Sequence, residues 1–141
     1  MNYLLDTNVI SELRKSSALI NPSVRDWVTA KSPETLFISV ITVMELEIGV
    51  GRVERRDREY GQRLRAWLEE RVLTAFHGRV LAVDLEVARR AATMHVPDPG
   101  PERDMLIAAT ALVHALPVVT RNVKDFRVTH VEVVDPWIAL A

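Results

Sequence analysis

Short apolar runs alternate with longer stretches of helical spacing along most of the chain. The first run, Tyr3-Leu4-Leu5, reads as a strand. Asp6-Thr7-Asn8 then reads as a helix start, with Val9, Ile10 and Leu13 on its apolar face. Pro22 opens a second helix through about Lys31, with Trp27 and Val28 turned inward. Ser32-Pro33-Glu34 is a turn, and Leu36 to Val40 a buried strand. Another helix starts at Thr42-Val43-Met44-Glu45, and Gly49 and Gly51 weaken it near its end. A polar helical stretch follows from about Val53 to Phe76. Val80 to Val83 is a third strand, and Asp84 caps a helix through about His95. Val96 to Pro101 is a loop stiffened by three prolines, and a nearly all-apolar helix runs from about Glu102 to Ala115. Pro117-Val118-Val119 is the fourth strand and Val131 to Val134 the fifth. Strands alternating with helices imply parallel pairing through crossover helices. The expectation is one α/β domain over 1–141, with a central parallel sheet of about five strands flanked by helices.

Composition narrows the chemistry. The chain has 141 residues, 48% apolar, which suits one compact domain with a real core. A formal net charge of −1 argues against a globally basic nucleic-acid binder, while leaving room for a local patch. Of the 18 basic residues, 15 are Arg, the side chain suited to bidentate contact with carboxylate or phosphate. Six Arg against Glu54, Asp57 and Glu59 give segment 52–65 a net charge of +3. That segment is either a solvated helix face with local ion pairs or a contact for RNA backbone or a partner. There is no Cys, and His77, His95, His114 and His130 lack ligand-pair spacing. Any metal is therefore held by oxygen. No apolar run approaches the roughly 20 residues of a membrane span, and no signal peptide fits, so the expected setting is cytoplasmic.

Ligands of open α/β sheets bind beyond the carboxyl ends of the strands. Four acids fall at such junctions: Asp6, Glu45, Asp104 and Asp125. Each also has a structural role available. Asp6 suits an N-cap, Thr42-x-x-Glu45 a capping box, Asp104 a helix N-terminus, and Asp125 a turn after Asn122. Capping alone does not require every junction of one rim to be acidic. Two carboxylates about 4 Å apart repel by roughly 1 kcal/mol in water and roughly 4 at an effective dielectric near 20. Converging carboxylates raise one another's pKa values or recruit a hard cation such as Mg²⁺ or Mn²⁺. Spacing alone leaves both readings open.

The motifs around these acids resemble those of a known family. Leu4-Leu5-Asp6-Thr7-Asn8-Val9-Ile10-Ser11-Glu12 resembles the opening of PIN-domain proteins. Ser39 to Gly49, with Thr42 and Glu45, is similar to their second acidic motif. Asp104 to Leu112 is similar to the third, and Thr120-Arg121-Asn122-Val123-Lys124-Asp125-Phe126 to the last. The nearest subgroup is the VapC-like toxins of bacterial type II toxin–antitoxin pairs, with their FitB-like branch. The resemblance implies a Mg²⁺- or Mn²⁺-dependent endoribonuclease acting on an RNA substrate. It implies Asp6 and Asp104 as principal metal ligands, with Glu45 and Asp125 completing an acidic quartet. It gives Thr120 and Asn122 the part of bonding the acids or orienting water. It also implies a homodimer and a cognate antitoxin that fills the active-site groove. Asp6 would hold the metal, while a carboxylate such as Glu45 or Asp125 orients the attacking water.

Arg121 lies inside the last motif and is a candidate phosphate contact. Glu47, two positions from Glu45, belongs to another helix face. Trp27, Trp67 and Trp137 read as core or interface packing, because no basic residues interleave with them. Two other functions compete. One is a non-catalytic partner-binding module on a PIN scaffold. The other is a haloacid-dehalogenase-like phosphatase, which needs an acid where this chain has Asn8. DNA cleavage is also open, since metal-ion chemistry does not by itself select the sugar.

Overall fold

The computed structural model describes residues 1–138. Five parallel strands, β1 (Tyr3–Leu5), β2 (Leu36–Ser39), β3 (Val80–Leu81), β4 (Val118–Val119) and β5 (Val133–Val134), form one sheet in the order β3-β2-β1-β4-β5. The expected parallel α/β architecture is therefore the observed one. Leu4 opposes Phe37 on one side and Val118 on the other, which puts β1 at the centre.

Alternation along the strands builds two cores. Leu5, Leu36, Ile38 and Val119 face a cluster with Val9, Val24, Leu46, Leu64 and Leu68. Leu4 and Val118 face the opposite cluster with Ile107, Ala108, Ala111 and Phe126. The first cluster is covered by α1 (Thr7–Leu13), α2 (Pro22–Thr29), α3 (Val40–Arg56) and α4 (Arg58–Ala66). A π-helical turn, Trp67–Val72, and the short α5 (Leu73–Ala75) continue α4. The second cluster is covered by α7 (Glu102–Val113) and α8 (Val123–Arg127), while α6 (Leu85–Met94) packs against α7. In α7, Met105 and every residue from Ile107 to Ala111 are buried, as its apolar sequence predicts.

Three local expectations change. Gly49 and Gly51 do not end α3; the helix runs through both to Arg56. It stops at Asp57, whose extended backbone (φ −148°, ψ 96°) breaks the helix and whose carboxylate accepts from the Tyr60 N–H at 3.1 Å to start α4. The end of α3 is thus set by this cap. Ser39 ends β2, not Val40, and its hydroxyl accepts from the Ile41 N–H at 3.0 Å. The segment after Asn122, read as a turn, is the helix α8. Among the described residues, no helix is long and apolar enough to cross a membrane.

Candidate active site

Asp6 follows β1 directly and is only 4% exposed. It is a cap, because its Oδ1 accepts from the Thr7 N–H at 2.8 Å, yet capping occupies one oxygen only. Oδ2 accepts from the buried Thr120 hydroxyl at 2.7 Å. Thr120 follows β4, the neighbour of β1, so the parallel sheet itself sets this pairing. The same Thr120 oxygen accepts from Asn8 Nδ2 at 3.2 Å and from the Asn122 N–H at 3.0 Å. One donated and two accepted bonds use the full capacity of a hydroxyl and lock its orientation. Asn122 thus bonds Thr120 through its backbone, while the amide side chain that supports Thr120 belongs to Asn8.

Glu45 lies further along α3, on the side facing α1. The Thr7 hydroxyl donates to its Oε1 at 2.7 Å, and the Thr42 hydroxyl lies 3.0 Å from that of Thr7. Since Ser39 caps α3, the Thr42–Glu45 capping box does not exist. Both side chains turn instead toward Thr7. Arg103 Nη1 lies 3.6 Å from the other Glu45 oxygen. Asp104 stands in the first turn of α7, where the cap position is Pro101 and no side chain caps the helix.

Asp6, Glu45 and Asp104 line one cleft of ≈ 460 Å³, together with Arg121, Asn122 and Trp137. Asp125 does not line it, but its charge acts on both Asp6 and Asp104. Burial first, then the charges of Asp6, Asp125 and Glu45, push the Asp104 carboxyl up to about 6. Burial also raises the Asp6 carboxyl, against the lowering effect of the Thr120 and Thr7 bonds. A helix N-terminus would by itself pull an aspartate down. The upward shift of Asp104 means that crowding outweighs that effect. Among the described residues, no three acids or imidazoles have already closed to the spacing of a ligand set.

Glu12 is a further buried acid in the cleft wall, 7% exposed. Both its oxygens are taken, one by Lys15 Nζ and one by the Asn21 N–H, each at 2.9 Å. These bonds hold its carboxyl below the usual range, so it buttresses α1 against α2. Thr7 and Asn8 were visible in the opening motif; what hid their roles is that each acts on a residue distant in sequence, Glu45 and Thr120. Away from the cleft, Arg65 pairs with Glu47 at 2.6 Å and Glu54 at 2.9 Å. Arg14 and Arg63 flank the Tyr60 ring. Glu47 and part of the Arg-rich stretch are thus spent on local pairing, as a solvated face would be. Trp27 packs edge-on against Tyr3, with centroids 5.0 Å apart.

A family model described as PIN domain matches residues 3–131. A VapC ribonuclease of Sinorhizobium fredii is 37% identical over 139 residues, covering 95% of this chain and 96% of that one. Toxin FitB of Neisseria gonorrhoeae is also 37% identical, covering 95% and 97%. The crystal structure of FitAcB from Neisseria gonorrhoeae superposes with a TM-score of 0.87 at 35% identity, covering 96% of this chain and 98% of that one. The chain belongs to the PIN-domain family. The haloacid-dehalogenase-like alternative is thereby set aside. PIN-domain ribonucleases are in general dependent on a divalent metal.

Proposed function

We propose that this protein is a metal-dependent endoribonuclease, the toxin of a type II toxin–antitoxin pair, which hydrolyses RNA phosphodiester bonds in the cytoplasm. The observation that carries the reading is the gathering of Asp6, Glu45 and Asp104 at one cleft, with Asp6 and Asp104 driven up in pKa. This donor set is carboxylate throughout, which fits a hard divalent ion, Mg²⁺ or Mn²⁺. Asp6 and Asp104 would hold the ion, with Glu45 and Asp125 completing the site. When bound, such an ion supplies charge neutralisation at the phosphate and Lewis acidity toward water. The Thr7 N–H and the Thr120 hydroxyl donate to Asp6, which favours its ionised form against burial and fixes its position. The Thr7 hydroxyl aims Glu45; one carboxylate, Glu45 or Asp125, would orient the attacking water or take its proton. Arg121 contacts substrate phosphate from the cleft wall.

Relatives named as VapC ribonuclease and Toxin FitB support the nuclease and toxin reading. The solved FitAB and VapBC complexes support a cognate antitoxin as partner, and we extend this to a homodimeric toxin whose groove the antitoxin fills. Incubating the purified protein with RNA in Mg²⁺, in Mn²⁺ and in EDTA, beside Asp6→Asn, tests the proposal. Cleavage in either metal, none in EDTA and none from the variant is expected. Cleavage in EDTA refutes the mechanism, and a wild-type protein inert in both metals points to the non-catalytic module. Parallel incubation with DNA separates the two nucleic acids.

Thr120→Val keeps the shape of the side chain and removes the hydroxyl. Cleavage should fall by roughly 10- to 100-fold, the usual effect of losing a group that orients a ligand. Stability should fall by about 1–3 kcal/mol, because the Asn122 N–H and Asn8 amide lose their acceptor. Single-turnover cleavage and thermal melting measure the two effects separately, and wild-type cleavage by the variant would remove Thr120 from the site.

A further inference from the structure

We propose that Trp137 and the groove beside it form a nucleobase subsite for single-stranded RNA, next to the acid cleft; this rests on the nuclease reading above. The placement follows from the sheet. β4 and β5 run parallel with Val119 opposite Val134, so the residues leaving their carboxyl ends lie side by side. Arg121 comes just past β4; Asp135, buried Pro136 and Trp137 come past β5. Asp135 Oδ1 accepts from the Trp137 N–H at 2.9 Å, which fixes that turn. The Arg121 guanidinium carbon sits 5.4 Å from the centre of the Trp137 ring.

The indole packs partly against the core and borders two spaces at once. One is the acid cleft. The other is a groove of ≈ 620 Å³ lined by Asn21, Pro22, Ser23, Asp26, Trp27 and Ile138. Trp137 is the wall they share. This pairing matches the chemistry of a nucleotide. A base stacks on the indole or guanidinium plane while its phosphate meets the Arg charge. A strand with one phosphate over the acids passes Arg121 and brings its neighbouring base to Trp137. Asn21 Oδ1 is engaged by the Ser23 and Val24 N–H groups, so its Nδ2 is the donor left for a base edge. The carboxylate in the groove wall, Asp26, is paired with Arg25 at 3.1 Å, which lessens its repulsion of a polyanion. Sequence reasoning assigned Trp137 to packing, because its cation comes from another strand.

The test measures binding in EDTA to two probes: a short random-sequence RNA, and an abasic ribose-phosphate strand of equal length. Trp137→Ala should weaken RNA binding on the order of tenfold, leave the abasic strand unchanged, and flatten the base preference beside the cut when products made in Mg²⁺ or Mn²⁺ are sequenced. Trp137→Phe should keep most of the affinity, which separates stacking from folding. Equal losses on both probes, or unchanged RNA binding, overturn the subsite; the second outcome leaves the groove to a peptide such as the antitoxin. Wild-type protein that cleaves nothing in either metal refutes the nuclease reading. Intact cleavage with no base-dependent effect of Trp137 refutes only the subsite.

Discussion

Asp104→Asn is expected to abolish RNA cleavage and, at neutral pH without metal, to make the protein more stable. The two effects share one cause. The Asp104 carboxyl is pushed up to about 6 by burial and by the charges of Asp6, Asp125 and Glu45. A carboxyl whose folded pKa exceeds its unfolded value contributes stability at low pH, and that contribution is lost as pH rises through the folded value. Above about pH 6 the ionised group therefore works against the fold. Asparagine cannot ionise. After discounting for the partial exposure of Asp104, the variant should gain about 1 kcal/mol at pH 7.5 in EDTA, or roughly 3–5 °C in Tm. Near pH 4 the gain should vanish. Divalent metal should raise the wild-type Tm and leave the variant's nearly unchanged. Cleavage, expressed as kcat/KM, should fall on the order of a thousandfold. In the wild type, the metal concentration for half-maximal activity should rise below pH 6, because proton and metal compete for the same oxygens. A variant that melts lower than wild type in neutral EDTA contradicts the crowding argument; one that cleaves normally contradicts the site.

Gly61→Ala should have the largest effect on stability. α4 crosses α3 so closely that a Cβ on Gly61 would lie 2.5 Å from the Glu54 Cα and 2.9 Å from the Glu54 N. Both are backbone atoms, so the contact is relieved only by moving one helix off the other. Alanine normally favours a helix interior by up to about 1 kcal/mol over glycine. Here overpacking reverses the sign, for an expected net loss of about 2–3 kcal/mol and roughly 6–12 °C in Tm. Leu64, Leu68 and Val72 would be drawn from the core with α4 and its π-helical continuation. Gly49 and Gly51 serve as internal controls. Beyond the helix's own adjacent backbone and chain neighbours, no heavy atom lies within 4 Å of a Cβ built at either, so alanine there should stabilise by up to about 1 kcal/mol. Melting curves of the three variants should show opposite signs within one pair of helices. A stabilised Gly61→Ala protein would mean that the helices do not meet at this point.

The contrast among these glycines shows where sequence reading stops. Gly49 and Gly51 weaken α3 by propensity without interrupting it; Gly61 drew no attention and sets how near two helices lie. Propensity is a property of one residue in its own helix, whereas close approach depends on the partner. Glu45 follows the same logic. With Thr42 three positions before it, Glu45 satisfied the pattern of a capping box. Ser39 had already supplied the cap, and the bond that defines Glu45 comes from Thr7, 38 residues earlier. Trp137 lacked neighbouring basic residues in sequence and acquires Arg121 across two adjacent strands.

By itself the sequence determined the kind of fold, the rim on which the acids fall, and the hardness of any metal they hold. Those follow from local properties: apolar periodicity builds parallel strands and crossover helices, acids just past strand ends share one edge, and a chain without Cys offers oxygen. Only the tertiary structure decided which carboxylates meet and how they are held. The bond between Thr120 and Asp6 spans 114 residues, and the raised pKa of Asp104 depends on its burial and on three other charges brought near it. Electrostatic energy depends on distance through space, and distances between remote residues exist only once the sheet has formed.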